Sequence, residues 1–150
     1  MTSDQTIDIV KHTRDCHRTL QRYYRDLKGR VASERVQLAL DFLIAHEASM
    51  ETALSQYETQ VPHNIAQRWF KYSPNEELKR LLAEEDLPPD MSIEHLSAWV
   101  ARLNDGLIQS YRQFEEASWP EPLREVMQRL VALEHEGRKR VVRALQEQVD

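Results

Sequence analysis

Apolar residues recur along this chain at alternating steps of three and four, the spacing that keeps side chains on one face of an α-helix. They form four separate lines. The first runs Val10, Thr13, His17, Leu20, Tyr24 and Leu27, and the second Val36, Leu40, Leu43, Glu47, Met50, Leu54 and Tyr57. The third is Ile93, Ser97, Val100, Asn104, Leu107, Tyr111 and Phe114, and the fourth Leu123, Met127, Leu130, Glu134, Gly137, Val141 and Ala144. Strand signals are absent.

Proline and glycine place the ends of these lines. The prolines stand at 62, 74, 88, 89, 120 and 122, leaving long Pro-free stretches rich in Leu, Ala, Glu, Arg and Gln, which are good helix formers. Gly29, followed by Ser33 as a cap, divides the first stretch into helices over about 4–28 and 32–58. Ser92, with Glu94 and His95 in the first turn behind it, predicts a third helix over 92–117, and Pro120 or Pro122 opens a fourth over 121–148. Residues 59–91 are too long for a tight connection between neighbouring helices. They read as a crossover that travels the length of the bundle, with a short helical piece near 76–85 and Trp69, Phe70 and Tyr72 pinning it down. Short, long, short connections predict an all-α four-helix bundle made of two helical hairpins, in a single domain over 1–150.

Each line carries one polar residue near its centre, and the four centres are related. An offset of 87 residues (104 − 17 and 134 − 47) takes His17 to Asn104 and Glu47 to Glu134. The same offset takes Leu20 to Leu107, Tyr24 to Tyr111, Val36 to Leu123 and Leu54 to Val141. The chain reads as one hairpin used twice about a pseudo-twofold axis, which would bring His17, Glu47, Asn104 and Glu134 into one layer.

In this arrangement the chain resembles the ferritin-like superfamily, and the rubrerythrin-type proteins within it most closely. In that family each hairpin supplies a Glu from its first helix, about seven residues before a Tyr, and a Glu-x-x-His from its second, so that six side chains hold two iron or manganese ions. Carried over residue by residue, the second-helix carboxylates match Glu47 and Glu134. The first-helix carboxylates are replaced by His17 and Asn104, and Met50 and Gly137 stand where the histidines belong. His46 does not substitute, because it lies about 100° round the helix from Glu47. Two carboxylates without either motif imidazole fall short of what two metal ions require.

Two expectations follow for the layer. As a polar core, its carboxylates are neutralised by a protonated His17 or share a proton, Asn104 donates a hydrogen bond, and no cofactor is implied. As a metal site, His17, Glu47 and Glu134 hold one divalent Fe, Mn or Zn ion, with Asn104 or water completing the shell. The resemblance correspondingly implies a protein that has lost the standard di-iron ligands and serves a non-catalytic interaction or stress-related role; the competing expectation is a single-ion metalloprotein or oxidoreductase. Tyr24 and Tyr111, one heptad onward, are within reach of the layer or belong to the ordinary core.

Composition narrows the partners. The 20 basic and 25 acidic residues give a net charge of −5 with no concentrated basic stripe, which argues against nucleic acid. No apolar run is long enough for a membrane span, and the opening residues MTSDQT have neither a basic nor an apolar region of the kind that directs secretion. With a single cysteine, Cys16, expected as a buried structural thiol, this points to the cytoplasm. Arg138, Lys139, Arg140 and Arg143 form the densest basic run, explained by the negative end of the last helix. Homodimerisation through helix faces is implied by analogy with ferritin-like bundles, with Trp99 and Trp119 as the candidate patch.

Overall fold

Serine hydroxyls start two of the helices. The Val36 amide donates to Ser33 Oγ at 3.3 Å and the His95 amide to Ser92 Oγ at 3.1 Å, each satisfying an amide of the first turn that has no partner within its helix. The computed structural model describes residues 7–58, 67–68, 74–84, 87–116 and 123–149. Its helices are α1 (Ile9–Lys28), α2 (Glu34–Glu58), α3 (Pro74–Glu84), α4 (Ile93–Glu116) and α5 (Leu123–Val149). Besides these, Ile7–Asp8 (β1) pairs antiparallel with Gln67–Arg68 (β2), Ile7 opposite Arg68. The sequence carries no strand signal because a two-residue bridge draws only on backbone groups and needs no alternating pattern. The architecture is otherwise all-helical.

Lys28 is the last residue of α1. The amides of Gly29 and Val31 turn back onto the carbonyls of Arg25 and Leu27, and the Ala32 amide donates to the Pro89 carbonyl at 2.9 Å, tying this turn to the segment that leads into α4. α2 then returns along α1: Lys28 pairs with Asp41 at 2.7 Å, while Gln21, further back on α1, donates to Glu51 at 2.8 Å, further on along α2. α4 and α5 also lie against each other. Arg35, at the start of α2, donates to the carbonyl of Gln148, at the end of α5, so these two helices run in opposite directions.

The apolar lines face inward. Leu20, Leu27, Val36, Leu40, Leu43, Leu54, Leu107, Leu130 and Val141 are all buried. α3 lies against α4 and α1 and buries Leu78. It approaches α4 at Gly106, where a Cβ would stand 2.9 Å from Leu81 Cδ1, so the missing side chain sets how closely α3 can approach.

Trp99 corrects the expectation of a dimer patch. It is 1% exposed and packs between Tyr23, at 5.5 Å between ring centroids, and Tyr24, edge-on at 6.3 Å. An aromatic this large contributes more to the core than it could at a rim. Trp119, Trp69, Phe70 and Tyr72 lie outside the described residues. Among those described, Leu38 and Phe42 on α2 are the exposed large apolar side chains, and no helix is long and apolar enough to cross a membrane.

Burial at these positions makes a direct forecast. Trp99→Ala is expected to lower unfolding free energy by about 3–5 kcal/mol, and Leu38→Ala to change it by less than about 0.5 kcal/mol; equilibrium denaturation by urea measures both.

Candidate functional site

Glu47, near the middle of α2, and Glu134, near the middle of α5, are 1% and 0% exposed. An uncompensated carboxylate in such surroundings is costly enough to be protonated instead. Compensation comes from α1. His17 Nδ1 lies 2.7 Å from Glu47 Oε1 and His17 Nε2 lies 2.9 Å from Glu134 Oε2, so one imidazole spans the carboxylates of both hairpins. Ionised carboxylates only accept, so both ring nitrogens donate and His17 is an imidazolium.

One imidazolium balances one of the two carboxylates. Arg138 supplies the second cation, a residue that the sequence places in a basic run at the end of the last helix and that the structure places in the core, 1% exposed. Its Nη1 donates to Glu47 Oε2 at 3.1 Å and to Asn104 Oδ1 at 3.4 Å, and its Nη2 stands 3.7 Å from Glu134 Oε1. The layer therefore holds two positive and two negative charges. The signal for Arg138 was charge balance together with spacing: it follows Glu134 by four residues, one helical turn, and two buried carboxylates beside a single histidine call for another cation.

The protonation of each group follows from its neighbours. For His17, burial disfavours the charged form, but the charge of Glu134 and the hydrogen bonds to both carboxylates outweigh it and raise the pKa to about 9. For Glu47, burial pushes upward and is overcome by Arg138 and His17, which bring the carboxyl down to about 2. Glu134 is likewise lowered against burial, by His17 first and then Arg138. Tyr111 also stands near enough to lower it, though the tyrosine hydroxyl makes no hydrogen bond of ordinary length and angle.

All four residues singled out in the sequence meet here, but Asn104 does so differently from its expected role. Its amide donates to the Val100 carbonyl at 2.7 Å, and only its oxygen turns to the layer, accepting from Arg138. Met50 and Gly137 are in contact across the hairpins: a Cβ at Gly137 would lie 2.8 Å from Met50 Cε and 2.9 Å from Sδ. Where the resemblance would put two imidazoles, a thioether lies on a bare backbone. Cys16 is buried, and burial drives its thiol pKa well up, which makes it a poor nucleophile. Tyr24 belongs to the aromatic group around Trp99.

These contacts do not fit a di-metal centre. A histidine ligand needs a free nitrogen lone pair, and both ring nitrogens of His17 carry protons directed at carboxylates. Among the described residues no group of three or more His, Cys, Asp or Glu is arranged to hold a metal ion. Compared with protein families, with curated proteins and with solved structures, the chain finds no match in any of the three.

The layer makes stability depend on pH from both sides. His17 contributes fully below its unfolded pKa of 6.5 and loses that contribution as pH rises through about 9. Glu47 contributes fully above 4.5 and loses it as pH falls through about 2. Thermal unfolding should show a maximum between those windows, and His17→Gln should remove the decline between about pH 6.5 and 9. Breaking the layer singly, by Arg138→Met or Glu47→Gln, is expected to cost about 3–5 kcal/mol. Replacing His17, Glu47, Glu134 and Arg138 together by Leu or Met should recover most of that loss in a denaturant titration.

Proposed function

We propose that this chain is a ferritin-like, rubrerythrin-type four-helix bundle in which an internal ion-pair layer stands in place of the metal centre, and that it acts as a non-catalytic interaction or stress-related protein. One observation carries the reading: His17 bridges Glu47 and Glu134 while Arg138 covers their remaining charge, so that the layer is electrically complete with its own side chains. The 87-residue offset between hairpins supports the bundle, and so does the burial of both members of the related pairs Leu20 with Leu107, Tyr24 with Tyr111 and Leu54 with Val141. Against a role in oxygen or peroxide chemistry stand the missing first-helix carboxylates and the Met50–Gly137 contact.

Under this reading the layer fixes the register of the two hairpins, a use of buried polar groups well attested in coiled coils. The absence of a di-iron ligand set leaves the outer surface as the place where partners are met. The competing reading is a single-ion metalloprotein using His17, Glu47 and Glu134, and it requires His17 to surrender a proton and turn a lone pair to the ion.

Elemental analysis separates the two. Protein purified without chelator or affinity metal, and again after incubation with Fe(II), Mn(II) or Zn(II), is expected to hold far less than one ion per chain. Stoichiometric metal that disappears in the Glu47→Ala, Glu134→Ala double variant would overturn the proposal in favour of the metalloprotein.

A further inference from the structure

Two residues of the ionic layer, Asn104 and Arg138, also form part of the wall of a cavity of about 290 Å³ between α4 and α5. This is near the small end of the range for ligand pockets. Its lining mixes exposed Lys139 and Arg143 from α5 and exposed Asp105 from α4 with Ala101, Ile108 and Val142, all partly buried. Arg138 commits only Nη1 to hydrogen bonds. Its Nη2 stands in ion-pair range of Glu134 without a hydrogen bond, and its buried Nε makes none.

The internal repeat supplies a comparison within the same molecule. The 87-residue offset that relates the hairpins takes Arg14 to Ala101, Arg18 to Asp105, Gln21 to Ile108 and Glu51 to Arg138. In the first hairpin, Arg18 and Gln21 both donate to Glu51, and these long side chains lie across the groove between α1 and α2. In the second hairpin the charges are exchanged, the arginine turns inward to Glu47, and a long basic residue has alanine as its counterpart. The corresponding groove there is the cavity.

Charge and shape together define an occupant. The layer is balanced within itself, so Lys139 and Arg143 against Asp105 leave the wall with one positive charge in excess. We propose that this cavity binds a small organic monocarboxylate, its carboxylate held by Arg143 and Lys139 and its short apolar body laid against Ala101, Ile108 and Val142. Guanidinium groups recognise carboxylates through paired, charge-assisted hydrogen bonds. The apolar lining residues favour a body of several carbons over a bare ion. The site does not depend on the family reading above, since metal content and carboxylate binding are read on different groups.

Titration of the full-length protein by calorimetry, with acetate, butyrate, hexanoate and inorganic phosphate as probes, tests this. Affinity is expected to rise from acetate to the longer acids and to exceed that for phosphate. Arg143→Ala should weaken butyrate roughly tenfold through loss of one charge-assisted contact. Ala101→Arg, which gives the second hairpin the side chain of the first, should abolish binding while leaving circular dichroism unchanged. If Ala101→Arg disturbs the fold, the exposed Arg143 decides alone. No saturable binding of any acid at millimolar concentration, undiminished affinity in Arg143→Ala, or phosphate binding as tightly as the acids would each overturn the proposal.

Discussion

Two carboxylates at the centre of a helical core set the terms for everything around them. Glu47 and Glu134 come from different hairpins, and neither can remain ionised in an apolar setting without a cation of its own. His17 reaches both, which requires α1 to lie where its imidazole spans the gap between α2 and α5. Arg138 must extend from α5 back across to α2. Each of these contacts joins residues far apart in sequence, so the layer specifies how one hairpin sits on the other. The leucines above and below it could tolerate several alternative interdigitations. A slip of one turn would leave a buried charge unpaired, and that penalty is what makes the register unique.

The two hairpins repeat in their apolar lines but differ in their charges. The carboxylates are symmetric, Glu47 with Glu134, whereas the cations are not: His17 has Asn104 as its counterpart, and Arg138 has Glu51. One imidazolium serves both carboxylates, and one guanidinium serves both from another direction. A second protonated histidine at 104 would add a charge that no carboxylate of the layer is left to balance. The neutral amide fits because its donor is taken up by the Val100 carbonyl and its oxygen can accept from Arg138. This division of labour makes the hairpins complementary and no longer interchangeable.

The sequence showed the helices, their caps and the four polar centres, because apolar spacing, Ser33, Ser92 and the internal offset are local signals that the fold does not override. It hid Arg138 and Trp99 for related reasons. Both lie one position away from a line drawn at strict three-and-four spacing. Trp99 is nevertheless buried, as are Leu96 and Leu103, because α4 carries a wider apolar face than a coiled-coil seam, met by Tyr23 and Tyr24 of α1 at Trp99 and by Leu81 of α3 at Gly106. Arg138 is buried because its long side chain can reach a charge that a short one could not, and Gly137 beside it adds no bulk of its own. The β1–β2 bridge left no trace in the sequence, being made by backbone alone.

Charge balance also bears on what the layer will admit. With His17 protonated and Arg138 in place, two positive charges face two negative ones and the sum is zero. A divalent ion entering between the carboxylates would have to displace at least the proton on the coordinating nitrogen. The exchange of one positive charge for two leaves the buried layer with a net charge of +1. The ion would also sit beside a guanidinium already within 3.1 Å of Glu47 and unable to deprotonate. In a medium of low polarity that repulsion is large, and it persists unless Arg138 swings out of the core. Arg138 is therefore more than a second counter-ion for the glutamates: its fixed charge raises the cost of placing a metal ion between them.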